Sequence, residues 1–255
     1  MKQVTANEIY RRLIEWSPAN REKTGDGLVL GDGEREVYTV AVTIIATPEV
    51  IRRARAIGAD MILTHEPTFP LSEEGDPVTA AKRALCEEVG LPIVRLHDHM
   101  HFTEVDKINL GVLSRLALPG DFDGQKTLTL HTPMPADALT RHICERLSLR
   151  HPRYIGRGDL PVRTLSLLFG AWGDARIRSE LSRPEVDLVI IGEGCEYGIC
   201  EYARDAVELG APKGLLILGH MGSEKAGMEY LADVINQTME DVRAVYLDAG
   251  EVYMN

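Results

Sequence analysis

The chain alternates between short, almost uninterrupted apolar runs and longer stretches in which apolar residues recur every three or four positions. The short runs are rich in valine, isoleucine and leucine and predict β-strands, whereas the longer stretches predict amphipathic helices. Strands separated by helices of this length imply βαβ crossovers and largely parallel pairing. The predicted strands cover 37–45, 61–64, 93–96, 127–131, 164–169, 186–191, 214–218 and 244–247, and the predicted helices cover 6–16, 48–57, 78–89, 110–116, 136–147, 176–181, 199–209 and 224–237.

Cap residues support several of these boundaries. Thr5 followed by Glu8 has the spacing of a capping box ahead of the first helix. Thr47-Pro48 supplies an N-cap and a proline at the first position of the second helix. Gly58 and Gly90 stand where the second and third helices are expected to end.

A faint internal repeat divides the chain in two. The segment 60–66 can be laid over 187–193, and His99-Met100 over His220-Met221, in the same order. The predicted fold class is α/β, with two similar, intimately packed βαβ lobes, mostly parallel sheets and a metal site in the cleft between them. The first lobe is expected to cover 1–120, with the carboxy-terminal segment packing back on it, and the second to cover 121–255.

Composition limits the class of protein. A chain of 255 residues with 44% hydrophobic content can bury a full core without disulfides. Its formal charge of −11 argues against sequence-independent binding of nucleic acid, because such binding requires clustered lysine and arginine. No apolar run approaches bilayer-spanning length, so a soluble, cytoplasmic protein without membrane partners is expected. Four cysteines without a C-x-x-C pair suit reduced thiols: Cys86, Cys144, Cys195 and Cys200.

Histidine and carboxylate groups follow three of the predicted strands. They lie in His65-Glu66-Pro67, in the run from His97 to His101, and in the segment from Gly219 to Glu224. The ends of parallel strands gather ligands and catalytic groups at one sheet edge, so these segments predict a metal site assembled from distant parts of the sequence.

Each segment also has a simpler interpretation. His65 alone would be a strand-end histidine bonded to backbone, and the run from His97 to His101 would be a polar loop. In an extended chain, alternate positions would put its three imidazoles on one side, with Asp98, Glu104 and Asp106 as acceptors that fix their tautomers. His220 and Glu224 are four positions apart at the start of a predicted helix capped by Ser223, so both can face one point. The simpler interpretation of this third segment is a capping residue followed by a surface glutamate.

The order and spacing of these motifs resemble the Nif-three-like dinuclear-metal family, some of whose members carry the label GTP cyclohydrolase I type 2. The resemblance starts at Gly27–Gly31, similar to the family's G-L-x-x-G stretch. It continues through Gly58–Pro67, where the family usually has His-His-Pro, and through His97–His101, where it tends to have His-Thr-Asn-Leu-Asp. It ends at Gly219-His220 with Ser223-Glu224, and so covers nearly the whole chain.

The resemblance implies a ligand set in which two positions depart from the family pattern. Glu66 stands in place of the family's second histidine, and His101 in place of its ligating aspartate, so the ligand count is kept while the ligand types change. The implied ligands are His65, Glu66, His101, His220 and Glu224. The residues expected to surround and orient them are His97, Asp98, His99 and Glu193.

The resemblance implies a metal-dependent hydrolase with two divalent ions per chain, drawn from zinc, iron, manganese and nickel. Two ions about 3.5–4 Å apart would activate water for attack on a phosphoester, an amide or a purine ring. A nucleotide is one substrate of this kind. Glu224 is the expected catalytic residue, as ligand, bridge or general base. The resemblance further implies a homo-oligomer, typically a hexamer. The alternative is a metal-binding scaffold or metal-handling protein without turnover.

Overall fold

The computed structural model of this chain describes residues 4–70 and 75–253. They form a mixed α/β protein with two sheets. The helices are α1 (Ala6–Trp16), α2 (Pro48–Ala56), α3 (Pro77–Val89), α4 (Asp98–His101), α5 (Lys107–Leu116), α6 (Ala136–Leu147), α7 (Asp174–Leu181), α8 (Glu201–Glu208) and α9 (His220–Thr238). The strands are β1 (Gly27–Leu30), β2 (Thr39–Thr43), β3 (Met61–Thr64), β4 (Ile93–Arg95), β5 (Gly120–Phe122), β6 (Thr127–Pro135), β7 (Arg153–Ile155), β8 (Pro161–Ala171), β9 (Leu188–Glu193), β10 (Gly214–Ile217) and β11 (Arg243–Tyr246).

The chain divides into two compact units, each with one sheet. The first unit consists of Met1–Lys107 and Gly227–Asn255, and the second of Ile108–Ala226. The sheet of the first unit has the order β1-β4-β3-β2-β11. Its β11, β2, β3 and β4 run parallel, and β1 is antiparallel to β4. The carboxy-terminal strand therefore completes the first sheet.

Caps set the helix boundaries of the first unit as the sequence indicates. The Thr5 hydroxyl accepts the Glu8 N–H, and the Thr47 hydroxyl accepts the Val50 N–H. Helix α3 ends at Gly90, which is left-handed at φ +66°, a conformation that favours glycine. One face of the sheet is covered by α2 and α3 through an apolar core that includes Ile51, Ile62 and Ile93.

The sheet of the second unit has the order β5-β6-β8-β9-β10-β7. Only its central strands β8, β9 and β10 pair in parallel, and the pairings of β5, β6 and β7 are antiparallel. Parallel pairing is thus concentrated in the first sheet. The sequence did not predict β1, β5 or β7. These three short strands lie at sheet edges and contain no fully buried residue, so burial does not impose on them the apolar run that marks β3 and β4.

The two units share a local hydrogen-bonding pattern that supports the predicted repeat. In the first unit the Asp60 carboxylate accepts the N–H groups of Tyr38 and Thr39 at the start of β2. In the second unit Asp187 accepts the N–H groups of Arg163 and Thr164 on β8 in the same way. Each aspartate precedes a buried parallel strand, and each ties that strand to its neighbour.

The last helix begins earlier than predicted. Helix α9 starts at His220, so Ser223 lies inside its first turn, and the prediction of Ser223 as N-cap was wrong. The Ser223 hydroxyl instead donates to the His220 carbonyl at 2.7 Å. Among the described residues, no helix is long and apolar enough to cross a membrane.

Candidate metal centre

His65 lies at the end of β3 in the first unit and is fully buried. Its N–H donates to the Thr43 carbonyl at 3.2 Å, and the N–H of Glu66 donates to the Ile44 carbonyl at 2.8 Å. These bonds continue the pairing of β2 with β3 past the end of the ladder. The backbone of the His65-Glu66 pair is therefore held by the sheet, although the pair stands beyond the strand.

The hydrogen bond at Nδ1 of His65 sets its tautomer. Nδ1 lies 3.0 Å from the Leu96 carbonyl oxygen, and a carbonyl oxygen only accepts, so Nδ1 carries the proton. In the neutral ring this leaves the lone pair on Nε2. The simpler interpretation, a strand-end histidine bonded to backbone, is thus correct for one nitrogen, and that bond leaves the lone pair on the other nitrogen, as in metal-ligating histidines.

The run from His97 to His101 is a helical turn, and the prediction of an extended chain with three imidazoles on one side was wrong. Helix α4 spans Asp98–His101, with the Phe102 N–H donating to the Asp98 carbonyl at 2.8 Å. In a helical turn, residues four apart share a face. His97 and His101 therefore stand together, with ring centroids 4.9 Å apart, whereas His99 is directed elsewhere.

Carboxylates orient the two histidines that share this face. Nδ1 of His101 bonds Asp106 at 3.0 Å, and Nδ1 of His97 bonds Asp98 at 2.9 Å. A carboxylate oxygen accepts, so both Nδ1 atoms carry protons, and in the neutral rings both Nε2 atoms carry lone pairs. An acceptor on the far nitrogen is the arrangement typical of metal-ligating histidine.

The three imidazoles converge within the first unit. One ligand nitrogen from each of His65, His97 and His101 lies within 4.8 Å of the others, and Nε2 of His65 lies 3.1 Å from Nε2 of His101. Two facing lone pairs repel unless a cation lies between them. Bonds of about 2.0–2.1 Å from one ion to two nitrogens bring those nitrogens to about 3 Å from each other. The donor set therefore fits a divalent metal, and a carboxylate oxygen of Glu66 lies within 4.8 Å of a ligand nitrogen of His65.

The charge state of the turn favours neutral imidazole beside ionised carboxylate. Burial lowers the pKa of His97, and the neighbouring His101 lowers it further. Burial alone would raise the pKa of Asp98, but hydrogen bonds from His97, the Gly25 N–H and Thr24 outweigh it and lower the pKa to about 2. A neutral ring and an ionised acceptor are the forms that metal ligation requires.

The third imidazole of the run is held by an aspartate that sequence reasoning missed. Asp26 is completely buried at its side chain and accepts the His97 N–H at 2.8 Å, the His99 N–H at 2.9 Å and Nδ1 of His99 at 2.8 Å. Tyr10 packs edge-on against the His99 ring. Asp26 thus fixes the start of α4. Its position before β1, in a Gly-Asp-Gly turn, follows no metal-site spacing that could have identified it.

A second cluster, of one histidine and two glutamates, lies within the second unit at the start of α9. Nδ1 of His220 lies 3.2 Å from Oε1 of Glu193 at the end of β9, and Nε2 lies 3.5 Å from Oε2 of Glu224. The Glu193 side chain is 59% exposed, whereas the Glu224 side chain is 3% exposed. A histidine between two carboxylates holds a proton or a metal ion well, because both neighbours stabilise positive charge.

Two glycines make room for this cluster. Gly170 on β8 has φ +74°, and a Cβ there would clash with the Glu224 carboxylate. Its N–H donates to the Ser223 hydroxyl at 3.0 Å, which joins β8 to the first turn of α9. A Cβ at Gly192 would lie 2.8 Å from the same hydroxyl. The absence of side chains at these strand ends is what allows α9 to begin against the sheet.

A model of the family described as Duf34/NIF3 (NGG1p interacting factor 3) matches residues 4–250 of this chain. The chain belongs to the Duf34/NIF3 family. Among its relatives, the "GTP cyclohydrolase 1 type 2 homolog" of Clostridium perfringens is 22% identical over 237 residues, which cover 86% of either chain. The protein of the same description from Pyrococcus abyssi is 23% identical and covers 89% of this chain and 90% of its own.

Solved structures of other proteins share this fold. The Bacillus cereus protein related to NIF3 superposes with a TM-score of 0.78 at 16% identity, covering 100% of both chains. The Staphylococcus aureus hypothetical protein SA1388 superposes with a TM-score of 0.79 at 14% identity, again over 100% of both. At such identities the likeness shows the fold alone. The evidence for the candidate ligands of this Duf34/NIF3 protein therefore comes from its own side chains and not from these structures.

Proposed function

We propose that this protein is a metal-dependent hydrolase with a dinuclear site. The proposed ligands are His65, Glu66, His101, His220 and Glu224, and the ions are two of the divalent set zinc, iron, manganese and nickel. The observation that carries the proposal is the 3.1 Å separation of the Nε2 atoms of His65 and His101, each on a ring whose other nitrogen is held by an acceptor. The description of curated relatives as homologs of a cyclohydrolase, which is a hydrolytic enzyme, is consistent with it.

The first step toward hydrolysis is to hold neutral imidazoles in place. His65, His97 and His101 each have an acceptor on Nδ1, so the rings cannot turn their protons toward the ligand position. This orientation is set before any ligand binds and costs no rearrangement. When bound, two divalent ions would lower the pKa of water and neutralise charge that develops on a phosphoester or amide oxygen.

Glu224 is the proposed general base. Its side chain is almost completely buried and stands 3.5 Å from the imidazole of His220. A carboxylate in this position can take a proton from an attacking water, and His220 can stabilise the charges involved while Glu193 orients its ring. The substrate is proposed to be a small molecule that carries a phosphoester, a nucleotide or a cyclic amide.

The experiment measures bound metal and turnover on the same samples. Protein purified without added metal is analysed for elements, then stripped, reconstituted and assayed against phosphoesters, nucleotides and cyclic amides. Glu224→Gln is expected to lower turnover by about a hundredfold or more. Glu240→Gln, at an exposed glutamate beyond α9, is the matched control and should behave as wild type. Two bound ions without turnover of any substrate would exclude the hydrolase in favour of a metal-binding scaffold.

We also propose a homo-oligomer, in the form of a hexamer. The family resemblance supports this part of the proposal, and it is independent of the chemistry. Light scattering of the purified protein should give a mass six times that of the 28.2 kDa chain. A monomer or dimer at the concentrations of the assay would contradict it.

A further inference from the structure

Arg95 reaches from the end of β4 to the histidine cluster of the first unit. Its Nε donates to the backbone carbonyl of His65 at 3.2 Å. Arg95 is the register partner of Thr64, the residue before His65, so the side chain lies along the same strand ends as the candidate ligands. Nε is thereby engaged, whereas the hydrogen bonds and ion pairs of the described residues leave both terminal nitrogens of the guanidinium available.

The neighbouring loop holds the guanidinium in place. A Cβ at Gly25 would lie 2.6 Å from Nη1 of Arg95, so the absence of a side chain there lets the guanidinium rest against the loop. Gly25 is itself fixed, because its N–H donates to Asp98. Arg95 is therefore pre-organised, which lowers the conformational entropy lost when its forked guanidinium group binds an anion.

The charge of Arg95 is not neutralised locally. Among the described residues no carboxylate lies within ion-pair distance of it, whereas the nearby Arg21 pairs with Asp98 at 3.4 Å. The residue is partly buried, so water screens its charge incompletely. After burial and the neighbouring His101, Arg95 is among the groups that lower the pKa of His97, which supports its closeness to the cluster.

We propose that Arg95 binds a phosphate group of the substrate. The guanidinium fork matches two phosphate oxygens, and charge-assisted bonds of this kind are strong in a partly buried site. Phosphoryl substrates commonly use metal ions and an arginine together, since both stabilise equatorial oxygens. The inference rests on the proposed hydrolase and narrows its substrates from phosphoesters, nucleotides and cyclic amides to those that carry a phosphate.

The test titrates zinc-reconstituted protein with inorganic phosphate by calorimetry, with bound zinc measured in every sample. Arg95→Gln should weaken phosphate binding by roughly tenfold to a hundredfold, because it removes charge-assisted bonds. Arg95→Lys keeps the charge but lacks the forked guanidinium, so its phosphate affinity should lie between those of wild type and Arg95→Gln. It also provides the test if the glutamine variant does not fold. Arg55→Gln is the matched control, since Arg55 likewise donates to a backbone carbonyl, that of Val89.

The outcomes separate this inference from the proposed function. Unchanged phosphate affinity in Arg95→Gln at equal zinc content, or no phosphate binding by wild type, would overturn the inference even if hydrolysis is found. Equal, Arg95-dependent binding of acetate would overturn the choice of phosphate. Phosphate binding that depends on Arg95 in a protein without turnover would support the anion site while the hydrolase fails.

Discussion

Nε2 of His65 lies 3.1 Å from Nε2 of His101, although the two residues are separated by 36 positions of the chain. The Leu96 carbonyl and the Asp106 carboxylate hold the opposite nitrogens, so in the neutral rings both Nε2 atoms carry lone pairs. Two lone pairs at this distance repel each other unless a proton or a metal ion lies between them. This pair is therefore the strongest evidence for a metal centre. The predictions below concern the two rings and the residues that position them.

Removal of either ring should abolish tight metal binding. His65→Ala and His101→Ala are each expected to weaken zinc binding by more than about a hundredfold, since loss of a group that merely orients a ligand already costs ten- to a hundredfold. Competition with a chromophoric chelator measures the affinity. His131→Ala, at an exposed histidine in the second unit, should leave it unchanged. Zinc affinity that survives both substitutions would contradict the centre.

Glu66 should contribute one ligand. Glu66→Gln keeps the shape but replaces a carboxylate with a weaker neutral ligand, so metal content per chain should fall while the circular dichroism spectrum stays that of wild type. Glu49→Gln, at an exposed residue in the first turn of α2, is the control. Full metal content in Glu66→Gln would make Glu66 a surface acid.

Asp26 should couple folding of the turn to metal binding. Asp26→Ala leaves three partly buried donors of His97 and His99 without their acceptor, which should lower the free energy of unfolding by about 2–4 kcal/mol and weaken zinc binding. Denaturant unfolding and chelator competition measure the two effects.

The control for Asp26 is an aspartate with a similar backbone role in the second unit. Asp123 accepts the N–H groups of Gln125, Lys126 and Thr127. Asp123→Ala should lower the free energy of unfolding but leave zinc affinity unchanged. Loss of zinc affinity in both variants would show that general destabilisation, and not the position of the turn, explains the Asp26 result.

Asp98 should make stability depend on pH in acid. Its pKa falls from 3.8 to about 2 on folding, so the ionised form stabilises the native state above pH 3.8, and this contribution is lost as the pH falls toward 2. The difference corresponds to about 2 kcal/mol in the free energy of unfolding. Asp98→Asn should therefore cost about that much at pH 7 in metal-free protein, with the cost vanishing near pH 2. A constant cost across this range, or one no larger than that of exposed Asp233→Asn, would contradict it.

Gly170 should be intolerant of a side chain for two reasons. Its φ of +74° penalises any L-residue, and a Cβ would clash with the Glu224 carboxylate. Gly170→Ala should lower the free energy of unfolding by about 3 kcal/mol, of which about 1 kcal/mol is the backbone term. Gly58→Ala isolates that term, because Gly58 has φ +71° and open space around its Cβ position. Equal costs in the two variants would exclude the clash.

The sequence by itself determined the elements whose signals are local. The Thr5 and Thr47 caps, the Gly90 stop and the buried run of β3 all lie within a few residues of the feature that they specify, so spacing was enough to place them. The motif order also identified the family, because motifs are read along the chain.

Only the tertiary structure decided what the candidate side chains contact. The run from His97 to His101 forms a helical turn because Asp26, 71 residues before His97, accepts the first N–H groups of that turn, a contact that no local pattern encodes. For the same reason α9 begins at His220, where the Ser223 hydroxyl meets the N–H of Gly170 from a distant strand. Tautomers, lone-pair directions and the engaged nitrogen of Arg95 depend on atoms brought together by folding, and residue spacing carries no information about them.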